Sequence, residues 1–248
     1  MSYLESVFSM SGKVCLVTGA SRGIGRSLAD AFHNAGAVVF GVGRSESAND
    51  DALWAYRQCD VNNKEQLAQV LQDIVTIEGK LNVLVNAAGI TNSHSTTDST
   101  SSFVQMIQTN LIAVHETCSV ASGYMKASGG GSIINITSIG SELGFAGNPG
   151  YASSKGGLKM LTKALANDLA EFNIRVNNIA PGYIRTDMTK GSYENQGLNQ
   201  DRVNRMIIKR WGEASDLSGA AIFLASEASS YITGIDLFVD GGWTAKGL

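Results

Sequence analysis

The stretch Val14-Cys15-Leu16-Val17-Thr18-Gly19-Ala20-Ser21-Arg22-Gly23-Ile24-Gly25 decides the fold. Its first five residues carry no charge and form a short, mostly apolar run, the mark of a buried strand. The glycines that follow let the backbone turn sharply, and a helical pattern runs from about Ile24 to Ala35. A strand that enters a helix through such a turn can hold an anion, because the helix N-terminus presents free N–H groups. The turn by itself does not separate a phosphate site from a plain tight turn.

Working outward, the same alternation recurs. Ala37–Val42, Ala55–Asp60, Leu81–Asn86, Ser132–Thr137, Ile174–Ile179 and Asp236–Val239 read as further strands. Helical spacing marks 63–78 (Leu67, Val70, Leu71, Ile74, Val75), Phe103 to about Lys126, 150–171 and about 216–225. Near-continuous apolar strands separated by helices predict an α/β fold. The expected form is one doubly wound parallel sheet, covered on both faces, in a single domain over 1–248. Residues 186–213 are polar, glycine-containing and long for a connection, so a lid of irregular structure is expected there. Thr91–Ser102 reads as a second long loop.

Composition narrows the partners. A net charge of −3 gives no basic surface for nucleic acid and no polybasic patch for a membrane. No uncharged apolar run reaches the roughly 18 residues needed to span a bilayer. The opening MSYLESVFSM lacks the charges and apolar core of a signal peptide, so a cytoplasmic protein is expected. Cys15, Cys59 and Cys118 lack metal-ligand spacing, and Cys15 reads as a buried reduced thiol.

The turn has the spacing Gly19-x-x-x-Gly23-x-Gly25, not the commoner Gly-x-Gly-x-x-Gly. Further along stand Asp60-Val61, Asn86-Ala87-Ala88-Gly89, Asn110, Ser138, Tyr151-Ala152-Ser153-Ser154-Lys155 and Pro181-Gly182 with Thr186. In this order the residues resemble the short-chain dehydrogenase/reductase family over nearly the whole chain, with Ala87 departing from its Asn-Asn-Ala-Gly element. The resemblance implies a Rossmann-type domain with a cofactor on Gly19, Ser21, Arg22, Gly23, Ile24 and Gly25. It adds Asp60 and Val61 beside the adenine, then Asn86, Ala88 and Gly89. Tyr151, Lys155, Pro181, Gly182, Ile184 and Thr186 lie towards the nicotinamide. It also implies catalytic roles for Asn110, Ser138, Tyr151 and Lys155, with Asn110 holding a water that links Lys155 to solvent.

At the end of the second strand an acid would bind ribose hydroxyls and repel a 2′-phosphate. Gly43 holds that position and Arg44 follows, with Arg22 as a second cation, so NADP(H) is favoured and NAD(H) is the alternative. Tyr151 and Lys155 share a helix face. An ammonium beside a phenol, with the positive oxidised nicotinamide, favours phenolate and brings the phenol nearer neutral pH. Tyr151 is then the general acid/base, and Ser138 can hold the substrate oxygen.

The expected activity is interconversion of a secondary alcohol and a ketone. Tyr151–Thr189, Lys209-Arg210-Trp211-Gly212 and Val239–Trp243 resemble bacterial sugar-acid and polyol dehydrogenases. His94, Ser141, Asn148 and Tyr183, with Ser138 and Tyr151, are the candidates for the substrate pocket. His33 and His115 read as structural. A 3-oxoacyl-(acyl-carrier-protein) reductase is the alternative, weakened by Phe172 and by Lys126 as the one cation near the loop 127–132. A catalytically idle binding protein is the alternative of another class, and the family also implies a homotetramer.

Overall fold

The computed structural model describes residues 3–48, 51–91 and 100–246. Among these, seven parallel strands form one sheet: β1 (Val14–Thr18), β2 (Val38–Gly43), β3 (Ala55–Gln58), β4 (Val83–Asn86), β5 (Gly131–Ile136), β6 (Ile174–Pro181) and β7 (Asp236–Val239). Their spatial order is β3-β2-β1-β4-β5-β6-β7. The order reverses between β1 and β4, and in open α/β sheets ligands bind at the strand ends beside such a reversal.

The helices are α1 (Tyr3–Phe8), α2 (Gly23–Asn34), α3 (Lys64–Glu78), α4 (Thr100–Ile107), α5 (Ala113–Ala127), α6 (Pro149–Leu169), α7 (Lys190–Tyr193), α8 (Gln196–Arg205) and α9 (Ser218–Ala225). Side chains of β1 alternate between two cores. Cys15 and Val17 pack with Leu28 and Phe32 of α2 and Leu224 of α9. Val14 and Leu16 face Leu67, Leu71 and Ile74 of α3 and Met125 of α5. Each fully buried side chain of this size contributes about 1.5–3 kcal/mol. Leu158 and Leu169 of α6 are buried in the second core, and Leu161 and Leu165 pack against it. The leucine row of α6 is therefore core. Burial pushes the Cys15 and Cys118 thiols up to about 12, which keeps them unreactive.

Polar side chains also cross the sheet inside. Asn86 Nδ2 donates to Asn135 Oδ1 at 2.8 Å, and Asn135 Nδ2 to Thr162 Oγ1 at 2.8 Å. Thr162 then donates to Asn178 Oδ1 at 2.6 Å, and Asn178 Nδ2 to Asp236 Oδ1 at 2.7 Å. The ladder ties β4, β5, α6, β6 and β7 together just below the site.

Two expectations are corrected. The long helix over 103–126 is interrupted by a π-turn at Gln108–Ile112, centred on Asn110. The 186–213 segment is largely helical, because Asn195 caps α8 by accepting from Leu198 N at 3.0 Å. Its anchors are aromatic and partly outside it: Tyr183 meets Trp211 and Trp243 edge-on at 5.5 and 4.7 Å. Among the described residues no helix is long and apolar enough to cross a membrane.

Candidate active site

A cleft of about 700 Å³ opens at the carboxyl ends of the central strands. Ile24, Ala87 and Gly89 line it from the turn after β1 and the end of β4. Ser138, Asn148, Tyr151 and Lys155 contribute from the end of β5 and from α6. The chain after β6 adds Pro181, Gly182, Tyr183, Ile184 and Thr186, and α8 adds Leu198 and Arg202.

The glycine turn forms a cradle. Gly19 has φ +68°, and a Cβ there would stand 2.7 Å from Ala88 N. A Cβ on Gly25 would stand 2.3 Å from Gly19 O. Backbone therefore meets backbone between the turn, α2 and the end of β4, where Thr18 Oγ1 accepts from Ala88 N at 3.2 Å. Arg22 precedes α2 in extended conformation without a side-chain cap, so no side chain of its own occupies the first amides of α2. These features fit a pyrophosphate. Arg22 is exposed, with Asp187 at 3.8 Å, and Thr186 packs near Gly23.

Arg44 is exposed at the end of β2. The Tyr56 hydroxyl lies beside Gly43, donates to Ser45 O at 2.9 Å and is also hydrogen-bonded with Ser21. The strand end thus offers an exposed cation, with no acid at Gly43. Asp60 accepts from both Asn62 N and Asn62 Nδ2 at 3.0 Å, next to buried Val61. Asn86 is 2% exposed and spends its amide on the buried ladder, so its side chain does not reach the cleft.

Tyr151 and Lys155 project from the first turns of α6, which starts with Pro149 at a position that needs no N–H partner. Lys155 Nζ donates to Ile136 O at 2.7 Å and lies 5.9 Å from the Tyr151 ring centroid. Phe145 stacks on Tyr151 at 6.3 Å and 5°. Ser138 is hydrogen-bonded with Tyr151, and its Oγ also accepts from Gly140 N at 3.0 Å.

In the protein alone, burial sets the charge state of the pair. Burial pushes the Tyr151 phenol above its ordinary value; the Ser138 hydrogen bond opposes this, and Tyr183 adds to it. Lys155 itself is pushed down to about 8 by burial. Burial penalises phenolate and ammonium alike, and the ammonium turns towards a carbonyl instead of the phenol oxygen. The protein alone therefore holds Tyr151 as a phenol.

Asn110 is fully buried, and it ties the chain after β4 to α6. Its Oδ1 accepts from Ile90 N at 2.8 Å, while Nδ2 donates to Ile90 O at 2.9 Å and to Ser154 Oγ at 3.0 Å. Ser141 does not line the cleft; its hydroxyl donates to Ser138 O at 2.6 Å and so shapes the turn that carries Ser138. Asn148 lines the cleft, donates to Thr91 Oγ1 at 2.7 Å and keeps a buried Oδ1 without a partner among the described residues. Tyr183 lines it too. His94 and most of the Thr91–Ser102 loop lie outside the described residues. The sequence reading missed Tyr56, Phe145 and Arg202, since none belongs to a motif and each is brought in by the fold.

A family model described as enoyl-(acyl carrier protein) reductase matches residues 19–244. The chain is 35% identical over 255 residues to a 2-dehydro-3-deoxy-D-gluconate 5-dehydrogenase of Bacillus subtilis, covering 99% of this chain and 100% of that one. The chain belongs to the short-chain dehydrogenase/reductase family. Another relative of this family is a 3-oxoacyl-(acyl-carrier-protein) reductase of Chlamydia pneumoniae, 36% identical over 246 residues and covering 95% of this chain and 98% of the relative. A gluconate 5-dehydrogenase from Burkholderia cenocepacia, solved in complex with NADP and tartrate, superposes with a TM-score of 0.93 at 32% identity. The match covers 99% of this chain and all of the other. The two relatives of this short-chain dehydrogenase/reductase carry different substrate names at identities one percentage point apart, so the cleft has to decide between them.

Proposed function

We propose that this protein is an NADP(H)-preferring oxidoreductase that interconverts a secondary alcohol and a ketone on a sugar acid, polyol or related small polar molecule. One observation carries the reading: Tyr151, bonded to Ser138 and close to buried Lys155, lines the same cleft as Ile24, which stands in the first turn of α2 beside the glycine turn. Bound nicotinamide supplies or accepts the hydride.

The chain's own residues do the rest. Ser138 donates to the substrate oxygen and holds it beside the Tyr151 hydroxyl. In reduction Tyr151 gives its proton to that oxygen; in oxidation it takes the proton from the alcohol. Lys155 hydrogen-bonds the ribose hydroxyls, and its ammonium favours phenolate once oxidised cofactor brings a second positive charge. Gly19, Ser21, Gly23, Ile24 and Gly25 seat the pyrophosphate, and Arg44 with Arg22 meets the 2′-phosphate. Asp60 and Val61 border the adenine. Ala88, Gly89, Pro181, Gly182, Ile184 and Thr186 border the nicotinamide half, with Asn86 acting from the core. Residues 186–213 act as the lid.

The sugar-acid reading over the acyl-carrier reading draws on the relatives with gluconate names and on one feature of the surface. Lys126 Nζ sits 3.6 Å from the Phe172 ring centroid, so this exposed cation is drawn onto the chain's own phenyl ring and away from an acidic carrier. The intact Tyr151–Lys155 pair speaks against an idle binding protein. Family membership supports assembly as a homotetramer as part of this proposal. The test is a panel of keto sugar acids, ketoses and acetoacetyl thioesters with NADPH and NADH. Turnover of the sugar compounds with NADPH supports the reading, and turnover confined to thioesters overturns its substrate half.

A further inference from the structure

Two buried side-chain nitrogen or oxygen atoms among the described residues have no hydrogen-bond partner: Asn148 Oδ1 and Arg202 Nε. Both belong to residues that line the active-site cleft. Buried polar atoms are ordinarily paired, so two orphans on residues that line one cleft indicate what a ligand brings. One is an acceptor and the other a cationic donor.

Arg202 is held for such a task. Its guanidinium lies 4.6 Å from the Tyr183 ring centroid, and Tyr183 is braced edge-on by Trp211 and Trp243. Its Nη1 makes a 3.4 Å bond to Leu198 O of its own helix, and its buried Nε has no partner among the described residues. Among the described residues no carboxylate pairs with it. The charged residues that line the cleft are Lys155 and Arg202, both basic, with no acid among the described lining.

We infer that Arg202 and Asn148 recognise a hydroxy-carboxylate substrate. Arg202 takes the carboxylate on its guanidinium, and Asn148 Oδ1 accepts a hydrogen bond from a substrate hydroxyl. Guanidinium suits a planar carboxylate because two parallel N–H groups match its two oxygens. The inference rests on the proposed sugar-type substrate and narrows it to the acids over the neutral polyols. It also makes Arg202 a specificity residue carried by α8, so that substrate charge helps to hold that helix over the site.

The experiment measures binding of D-gluconate and of neutral D-sorbitol to the protein saturated with NADP+, by calorimetry, alongside turnover. Arg202→Met keeps an aliphatic stem over Tyr183 and is expected to weaken gluconate binding about 30- to 100-fold. Sorbitol and NADP+ affinities should change less than about threefold, and Arg202→Lys should recover part of the loss. Asn148→Ala should weaken both sugars alike. Equal losses for gluconate and sorbitol in Arg202→Met, a parallel loss of NADP+ affinity, or no gluconate binding by the parent protein would overturn the inference. Arg202-dependent gluconate binding without turnover of any sugar acid supports it and removes the proposed reaction. Turnover of sugar acids that Arg202→Met leaves untouched does the reverse.

Discussion

The Tyr56 hydroxyl occupies the space a side chain on Gly43 would need: a Cβ there would stand 2.8 Å from it. The end of β2 is thus shaped against an acid as well as lacking one. Gly43→Asp should weaken NADPH binding by at least about tenfold, through crowding and repulsion of the 2′-phosphate. It should not create good NADH binding until Tyr56→Ala also makes room. Fluorescence titration with both cofactors checks this, and strong NADH binding by the single variant would count against the steric account.

Arg44 is the exposed cation that follows Gly43. Charge-assisted bonds to phosphate are the strong ones, so Arg44→Ala should cost about 10- to 100-fold in NADPH affinity and leave NADH within about twofold. The two dissociation constants, measured side by side, separate a phosphate contact from a general loss of folding.

Tyr151 should give different pH profiles in the two directions. Burial raises the phenol above its ordinary value, so with neutral reduced nicotinamide it stays protonated and ready to donate through neutral pH. Oxidation needs the phenolate. Its kcat/KM should climb with pH and level off at a lower pH than the one where reduction starts to fall, because the oxidised ring is positive. Profiles that coincide in both directions would remove Tyr151 as the titrating group.

Lys155 has a folded value of about 8, below the 10.5 of a free lysine. Its contribution to stability is therefore present above 10.5 and is lost as the pH falls through about 8. Cofactor binding runs the other way, since the ammonium is the form that meets the anionic cofactor. NADPH affinity should be level below about pH 8 and weaken by up to tenfold per unit above it, a break that Lys155→Met abolishes. Titrations at pH 6.5, 8 and 9.5 supply the check.

Thr162 is the middle rung of the polar ladder, between Asn135 and Asn178. Thr162→Val keeps its shape and strands two buried amides, a cost of about 1–3 kcal/mol. Thermal unfolding should drop by several degrees while kcat/KM of the folded protein stays near its parent value. An unchanged Tm would mean that water takes over the rung.

Most of the frame was legible because β1, β4 and β5 are buried on both faces and read as apolar runs. The turn at Gly19–Gly25 was legible because close backbone contact leaves room for glycine alone. The helices of the 186–213 segment were hidden, since α8 is polar and the anchors Tyr183 and Trp243 lie outside it. The π-turn at Asn110 was hidden too; the Asn110 side chain bonds there to Ile90, a contact no helical period displays. Arg202 and Tyr56 carry no motif and become visible only when the fold sets them against Tyr183 and Gly43. Asn86 and Ser141 carried motif-level expectations, yet one side chain serves the core and the other serves the turn that holds Ser138.

The most direct test of the account compares the parent protein with Tyr151→Phe, both saturated with NADPH, in the reduction of a keto sugar acid. The account predicts unchanged NADPH binding and a rate lowered about 10²- to 10⁴-fold, since the phenol's proton is what the phenyl ring lacks. Full turnover by Tyr151→Phe would contradict it, because the proton would then have to come from another group.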